Sequence, residues 1–164
     1  MSSDLTFRLT QAEDAPLLTQ WLMDPDILRW FPMENLREVE DAVRVWVGYS
    51  RLSAGLTAEW KGEPCAMANL YIQPYEKLKH TCLFSVIVKA SLRGKGIGGA
   101  LISELMKHAK DRFGIEILHL EVYENNPAKR LYERLGFKEF GCQTHFIKEL
   151  NGCYRGKTYM QKRL

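Results

Sequence analysis

The sequence predicts a mixed α/β protein whose central sheet is largely antiparallel and flanked by helices. Short runs of apolar or alternating residues predict strands, and longer runs with an apolar residue every three or four positions predict helices. The two kinds of run interleave along the chain, and three of the strands follow one another across short links, which favours an antiparallel meander. The predicted order is β-α-α-β-β-β-α-β-α-β-β.

The first half of the chain supplies one strand and two helices. The stretch LTFRLT, from Leu5 to Thr10, alternates as a strand, and Thr10 with Glu13 predicts a capping box that opens a helix. Two prolines in MDPDILRWFP then interrupt the helical pattern. A second helix is predicted over residues 34–52, with Gly55 as its stop. Its apolar repeat consists of Leu36, Val39, Val43, Val47 and Leu52.

The second half of the chain supplies the rest of the sheet and two more helices. The runs LTAEW, CAMANLYI and HTCLFSVIV predict the meander, and a helix follows over residues 97–114. The run IEILHLEVY predicts another strand, and the next helix begins at Pro127 and ends at Gly136. Two final runs predict a hairpin that turns at Asn151-Gly152.

Length and composition fit a single domain. The chain has 164 residues, of which 46% are hydrophobic and 26% are charged, enough for a sizeable core without disulfides or a structural metal. The four cysteines lie far apart with no C-x-x-C pair, so we expect no metal site. The start MSSDLTF lacks the features of a secretory signal, and no apolar run approaches the roughly 18 residues that span a bilayer. We therefore expect a cytoplasmic protein with no membrane partner.

Charge is unevenly distributed along the chain. The formal net charge is +3, but residues 1–64 carry a net −5 and residues 65–164 a net +8. A basic second half suits an anionic ligand. We find no recognised nucleic-acid-binding motif, so we expect no nucleic-acid partner.

The stretch LRGKGIGGAL, residues 92–101, has four glycines at the start of a predicted helix. Gly94, Gly96 and Gly99 satisfy G-x-G-x-x-G, the fingerprint of dinucleotide-binding proteins. A P-loop is excluded, because alanine and leucine follow Gly99 where lysine and serine or threonine are required. The glycine pattern therefore predicts a phosphate-binding loop of another kind.

A dinucleotide-binding oxidoreductase stays the less favoured alternative. Its strand should run straight into the first glycine, whereas KASLR precedes Gly94 here, and only 65 residues follow Gly99. The favoured interpretation is a pyrophosphate-binding loop, in which backbone N–H groups and the helix N-terminus face the phosphates. Arg93 and Lys95 would add positive charge to that loop.

Two motifs lie in order in the second half of the chain. The run from Arg93 to Gly98 fits Q/R-x-x-G-x-G/A and follows the strand FSVIV. Residues 125–137 fit N-x-x-A-x-x-L-Y-x-x-x-G-F, with the tyrosine at Tyr132. In both motifs the sequence resembles the GNAT superfamily of N-acetyltransferases. The resemblance implies acetyl-coenzyme A as cosubstrate, an amine as acceptor, and one GNAT-like domain over residues 1–164.

The resemblance assigns the coenzyme to three segments. Backbone groups of Val86, Ile87 and Val88 would bind the pantetheine arm. One of Asn125 and Asn126 would contact the same arm while the other caps the following helix. The pyrophosphate would be held by Arg93, Gly94, Lys95, Gly96, Ile97, Gly98 and Gly99.

Acetyl transfer from a thioester to an amine needs an unprotonated amine, stabilisation of the developing oxyanion, and an acid for the departing thiolate. The resemblance assigns the acid to Tyr132. Strand alternation places His119 and Glu121 on one face of their strand. We take Glu121 as the candidate base that deprotonates the amine, with His119 as the alternative.

The resemblance also implies that the acceptor side is lined by the segments ILRWFPMEN and HFIKELNGCYRG. They combine the aromatic residues Trp30, Phe31 and Tyr154 with the acids Glu34 and Glu149. Aromatic rings with acids suit a small cationic amine or a peptide N-terminus. A coenzyme A-binding module without catalysis stays the alternative function, which the retained motif tyrosine disfavours, and a homodimer is left open.

Overall fold

A computed structural model describes residues 4–164; residues 1–3, part of the stretch used to exclude a secretory signal, lie outside the described part. The strands are β1 (Leu5–Leu9), β2 (Gly55–Trp60), β3 (Glu63–Tyr71), β4 (Thr81–Val88), β5 (Ile117–Tyr123), β6 (Lys138–Lys148) and β7 (Tyr154–Arg163). They form one sheet in the order β1-β2-β3-β4-β5-β7-β6. Among these strands β4 and β5 pair in parallel, and every other neighbouring pair is antiparallel.

The α-helices of the described chain are α1 (Ala15–Leu22), α2 (Pro25–Leu28), α3 (Leu36–Gly48), α4 (Ile97–Phe113) and α5 (Ala128–Arg134). The mixed α/β fold is confirmed, and the elements follow the predicted order apart from the one-turn helix α2. That turn forms because the Asp24 carboxylate accepts the N–H of Asp26 at 3.0 Å. Pro25 fits the first helical position, where its missing N–H is not needed.

The capping box predicted for Thr10 and Glu13 is wrong by one residue. The Asp14 carboxylate accepts the backbone N–H of Gln11 at 2.9 Å, in the 3-10 turn that precedes α1. Thr10 is engaged elsewhere, because its hydroxyl lies 2.9 Å from the Thr57 hydroxyl on β2. An acidic residue still caps the start of the helical segment, but this residue is Asp14 and not Glu13.

The second long helix ends well before Gly55, contrary to the prediction. α3 ends at Gly48, a 3-10 turn follows at Tyr49–Leu52, and Ser53 takes a left-handed φ of 56°. Gly55 instead begins β2, where a Cβ atom would lie 3.0 Å from Thr10. The buried face of α3 consists of Val39, Val43 and Trp46, whereas Leu36 and Leu52 of the predicted repeat are exposed.

A hydrophobic core lies on each face of the sheet. The core under α4 and α5 includes Leu101, Leu105, Leu118, Leu120, Val122 and Phe137. The core under α1 and α3 includes Leu18, Val39, Val43, Met67 and Ile87. Since successive side chains of a strand point to opposite faces, the odd-numbered residues of β5 point towards the α1–α3 side.

β4 and β5 separate after a short stretch of pairing. Thr81–Leu83 pairs with Ile117–His119, and beyond these residues the two strands share no register. The gap lies inside the sheet, because β3 flanks β4 and β7 flanks β5 on their other sides. The sheet is therefore open in its middle, and its two faces communicate there.

No helix within residues 4–164 combines the length and the apolar character needed to cross a membrane. In the same part of the chain, no group of three or more His, Cys, Asp or Glu side chains is arranged to hold a metal ion. The four cysteines are free thiols; Cys65 and Cys82 are buried, and Cys142 and Cys153 are exposed.

Candidate active site

A cavity of about 840 Å³ lies along the gap between β4 and β5. Tyr132 on α5 lines it from one face of the sheet, where this residue belongs to the core under α4 and α5. Glu121 on β5 lines it from the opposite face, because its neighbours Leu120 and Val122 point into that same core. The gap therefore brings the two predicted catalytic side chains to one space.

The glycine-rich loop leads into α4 and lines one end of the cavity. Gly94 and Gly96 have φ angles of 75° and 80°, in the left-handed region that glycine adopts without strain. No side chain of the described residues caps α4, and its first turn contains no acidic residue. The uncapped N–H groups and the helix dipole favour an anion here, which fits the pyrophosphate implied by the resemblance.

The next two glycines allow α4 to pack closely on its neighbours. A Cβ atom at Gly98 would lie 3.4 Å from both Leu131 on α5 and Val88 on β4. A Cβ atom at Gly99 would lie 3.4 Å from Leu131. The helix N-terminus therefore lies against the end of β4, where the loop can reach the cavity.

The two cations of the loop take different positions. Arg93 lines the cavity, and its Nη1 donates to the backbone oxygen of Asp26 in α2 at 3.4 Å. Lys95 is exposed and does not line the cavity. Of the seven predicted loop residues, the structure brings the other six to the cavity wall. A contact of Lys95 with the coenzyme stays a prediction.

The backbone of β4 is available to a ligand at alternate residues. The N–H of Lys89 donates to the oxygen of Cys65 on β3 at 2.9 Å, so odd-numbered residues of β4 bond to β3. Val86 and Val88 therefore direct their N–H and C=O groups into the gap. The backbone of Ile87 faces β3, and its side chain lies in the core under α1 and α3.

The edge of β5 that faces β4 also has backbone groups available to a ligand beyond His119. Glu124, the residue after β5, donates its N–H to the oxygen of Gly156 in β7 at 3.0 Å, so even-numbered residues of β5 bond to β7. Glu121 and Tyr123 direct their backbone groups into the gap. An extended, polar arm between the two strands can therefore find hydrogen-bond partners on both sides, which fits pantetheine.

The two adjacent asparagines have different surroundings. Asn126 lines the cavity, and its Oδ1 accepts the N–H of Ala128 at 3.0 Å, so Asn126 caps α5. Asn125 is exposed, with a φ of 64° in the preceding turn, and it does not line the cavity. Asparagine tolerates that conformation better than most residues. A contact of Asn125 with the coenzyme stays a prediction.

The ring of Tyr132 is held by aromatic neighbours. Its centroid lies 6.4 Å from that of Phe84 and 6.3 Å from that of Phe137, both in edge-on contact. The residue is 9% exposed, and burial raises the pKa of Tyr132 to about 12. Its hydroxyl makes no hydrogen bond to another group of residues 4–164. The hydroxyl is thus a protonated donor at the cavity wall.

Glu121 has a partner that the sequence did not reveal. Lys157 on β7 is 5% exposed, and its Nζ lies 2.7 Å from Oε2 of Glu121. The same Nζ lies 3.3 Å from the ring centroid of Phe146. The pair holds the Glu121 side chain at the α1–α3 side of the gap by a charge-assisted hydrogen bond. His119, the alternative base, is half-buried, does not line the cavity, and has its pKa lowered by burial.

The acceptor side agrees only in part with the prediction. Trp30 and Phe31 line the cavity. Tyr154 is 51% exposed and lies outside it, and Glu34 is exposed on the loop before α3. Glu149 also lies outside the cavity, where its carboxylate pairs with the guanidinium of Arg155 at 2.5 Å. The two predicted acids are therefore not at the cavity wall.

Arg155 on β7 connects the β6–β7 hairpin to the residues that follow α2. Its Nη2 donates to the backbone oxygen of Arg29 at 2.6 Å. Its guanidinium lies 5.6 Å from the ring centroid of Trp30 and 5.2 Å from that of Tyr123. These contacts hold Trp30 and Tyr123 in the wall of the cavity.

Comparisons with known proteins assign the chain to one family. The Acetyltransferase (GNAT) family matches residues 16–137. An N-alpha-acetyltransferase of Sulfurisphaera tokodaii is 30% identical over 154 residues, which cover 90% of this chain and 86% of the relative. A ribosomal protein bS18-alanine N-acetyltransferase of Haemophilus influenzae is 32% identical over 75 residues, 46% of this chain and 51% of that relative. The chain thus spans about half the length of the second relative.

A structure from Salmonella typhimurium, solved as an acetyltransferase with its cofactor acetyl-coenzyme A, has the same fold. Its TM-score is 0.81 at 23% identity, over 99% of this chain and 95% of that one. Fold and family together define an acyl-transferring enzyme, and the opening in the sheet is its candidate active site. The chain belongs to the acetyltransferase (GNAT) family, whose enzymes use acetyl-coenzyme A.

Proposed function

We propose that this enzyme acetylates a primary amine by direct attack on the thioester, with Tyr132 as general acid and Glu121 as general base. The amine nitrogen forms a bond to the acetyl carbon, and the bond from that carbon to sulfur breaks. Glu121 takes the proton that the nitrogen releases, directly or through water, and Tyr132 gives its hydroxyl proton to the sulfur. The products are the N-acetylated amine and coenzyme A, and solvent returns both side chains to their starting protonation states.

The observation that supports this proposal is the position of the two side chains on opposite faces of one gap. Tyr132 reaches the cavity from the side of the glycine-rich loop, where the coenzyme is expected. Glu121 reaches it from the side of Trp30 and Phe31, where the amine is expected. This arrangement supports the proposal that Tyr132 serves the leaving group and Glu121 the nucleophile.

A primary amine is also the acceptor that the relatives suggest. One relative is named for N-alpha-acetylation and another for acetylating an alanine of a ribosomal protein. We propose the same broad class for this chain, which includes small amines, amino acids and the N-termini of peptides or proteins. No enzyme nucleophile is required, since the amine attacks the thioester itself.

The substitution Tyr132→Phe tests the acid. Phenylalanine keeps the ring and its contacts with Phe84 and Phe137 but removes the proton, so we expect kcat to fall about 100-fold or more. The affinity for acetyl-coenzyme A and the melting temperature should change little. The measurement is the rate of thiol release with a good acceptor, under conditions in which the chemical step limits turnover.

Tyr75→Phe is the matched control, because Tyr75 is 69% exposed and lies outside the cavity. Wild-type kcat in Tyr132→Phe would remove Tyr132 from the mechanism. Tight binding of acetyl-coenzyme A without turnover of any amine would instead favour the coenzyme A-binding module. Binding of NADH with no response to acetyl-coenzyme A would contradict the proposal altogether.

A further inference from the structure

The acceptor side of the cavity has an apolar wall. We call this the acceptor wall; it consists of Trp30, Phe31, Met33, Val45, Trp46 and Phe146. Val45 and Phe146 are 57% and 36% exposed, although they line a cavity. An apolar group of the acceptor that covered them would remove this surface from water, which is favourable in proportion to the area. The acceptor wall therefore suits an amine with an apolar substituent.

Two residues that line the same cavity carry buried hydrogen-bond donors without a partner in the described structure. The hydroxyl of Tyr123 and the indole N–H of Trp46 are both buried, the residues being 6% and 4% exposed, and neither bonds to another group of residues 4–164. Both side chains line the cavity. An indole N–H can only donate, and burial, which raises the pKa of Tyr123 to about 12, keeps the phenol protonated. Both groups therefore call for an oxygen acceptor on the ligand.

The acid that lines this side of the cavity is already paired. Glu121 pairs with Lys157 at 2.7 Å, and Arg155 beside Tyr123 pairs with Glu149 at 2.5 Å. Among the described residues that line the cavity, the cations are Arg93 in the glycine-rich loop and Arg134 in α5, which belong to the side expected to bind the coenzyme. Since burying an unpaired charge is costly, the oxygen that the two donors bind should be neutral.

We infer that the acceptor is the α-amino group of a peptide whose N-terminal residue has an apolar side chain. The acceptor wall covers that side chain, and Tyr123 and Trp46 donate to the carbonyl oxygen of the same residue. Free amino acids and polyamines are disfavoured, because the former add a carboxylate and the latter add cations. This inference rests on the proposed acetyltransferase function.

A panel of five amines at fixed acetyl-coenzyme A tests the inference. Leucyl-alanine amide combines all the expected features. Glycyl-alanine amide lacks the side chain, 3-methylbutylamine lacks the carbonyl, free leucine has a carboxylate, and spermidine has extra cations. We expect kcat/KM for leucyl-alanine amide to exceed that of each other amine by about tenfold or more. Burial of the leucine side chain accounts for the difference from glycyl-alanine amide, and the hydrogen bonds to the carbonyl account for the difference from 3-methylbutylamine.

The variant Tyr123→Phe tests the hydrogen bond separately. It should raise KM for leucyl-alanine amide about 3- to 10-fold, as expected for one neutral hydrogen bond, and raise KM for 3-methylbutylamine by clearly less. Tyr75→Phe should match the wild type with both amines. An equal change with both amines would assign Tyr123 a structural role and overturn its contact with the carbonyl.

The outcomes separate this inference from the proposed function. Preferred turnover of spermidine or free leucine, still lost in Tyr132→Phe, would overturn the inference and leave the acetyltransferase mechanism intact. Absence of turnover with every amine, despite binding of acetyl-coenzyme A, would overturn the proposed function and the inference with it. The panel uses the wild-type chain, so its result tests the inference about the acceptor even if the Tyr123→Phe variant does not fold.

Discussion

The ion pair between Glu121 and Lys157 is unequally buried. The lysine side chain is 5% exposed and the glutamate side chain 38%. Loss of the glutamate charge would leave a buried ammonium without its counter-ion, whereas loss of the lysine charge would leave a carboxylate that water can reach. The contact of Lys157 with Phe146 replaces only part of the lost interaction.

We therefore expect Glu121→Gln to lower the free energy of unfolding by about 2 kcal/mol or more, and Lys157→Met to lower it by less. The double variant should be more stable than Glu121→Gln alone, because it leaves no unpaired ammonium. Urea denaturation of the four proteins measures these differences. Equal stabilities of Glu121→Gln and wild type would show that Lys157 does not depend on this pair.

The residues of the site were not equally predictable. Tyr132 and Glu121 could be placed from the sequence, because motif spacing and strand alternation are local properties. Lys157 could not, since it meets the site only through the antiparallel register in which Tyr123 lies opposite Lys157. That register depends on the packing of the whole sheet, and no spacing within the chain reports it.

At the scale of elements, the N-terminus of α4 depends on the conformation of Gly96. Its φ of 80° is strained for any residue with a side chain, and most of all for a β-branched one. Nothing lies within 4 Å of a Cβ atom built there, so a side chain would not disturb the core. The cost of a substitution should therefore fall on the local loop and on what the loop binds.

We expect Gly96→Val to weaken acetyl-coenzyme A binding at least about tenfold, since about 1–2 kcal/mol of strain would displace the phosphate-facing N–H groups. Calorimetric titration measures the affinity, and far-ultraviolet circular dichroism checks the fold. Gly48→Ala is the control, because Gly48 has helical dihedrals and open space around its Cβ position. It should stabilise the protein by about 0.5–1 kcal/mol and leave the affinity unchanged. Unchanged affinity in Gly96→Val would contradict the assigned loop.

Local sequence signals are sufficient to predict some of the helices and strands but not all of them. Helix α4 begins and ends as predicted, because glycines and an apolar repeat mark it clearly. Helix α2 is absent from the predicted order because prolines normally interrupt a helical pattern, although Asp24 before Pro25 is a standard N-cap. The separation of β4 from β5 has no local signal, since both strands have the apolar pattern of ordinary paired strands.

At the scale of the whole molecule, one partly buried network connects the first strand to the first helical segment. Arg8 on β1 donates from Nη1 and Nη2 to the two oxygens of Asp14, both at 2.8 Å, and from Nε to Glu59 on β2 at 2.7 Å. Burial raises the pKa of Asp14, but the hydrogen bonds from Arg8 and from the N–H of Gln11 outweigh it, so the pKa of Asp14 is lowered overall.

A lowered pKa in the folded state means that Asp14 stabilises the fold at pH values above its unfolded pKa of about 3.9, and that this stabilisation is lost as the pH falls through the folded pKa. We expect the melting temperature of wild type to exceed that of Asp14→Asn at pH 7, with the difference shrinking progressively below about pH 4. Calorimetric scans from pH 7 to pH 2.5 measure it. A difference that stays constant with pH would show that the charge of Asp14 is not responsible.

The opening in the sheet also has a consequence for the order of events in turnover. The glycine-rich loop and the acceptor wall lie on opposite sides of the gap, so neither substrate needs to pass through the entrance of the other. In the proposed mechanism the amine attacks the thioester directly, and no side chain holds the acetyl group between two half-reactions. Double-reciprocal plots at several acetyl-coenzyme A concentrations should therefore intersect, as they do for a ternary complex, rather than run parallel.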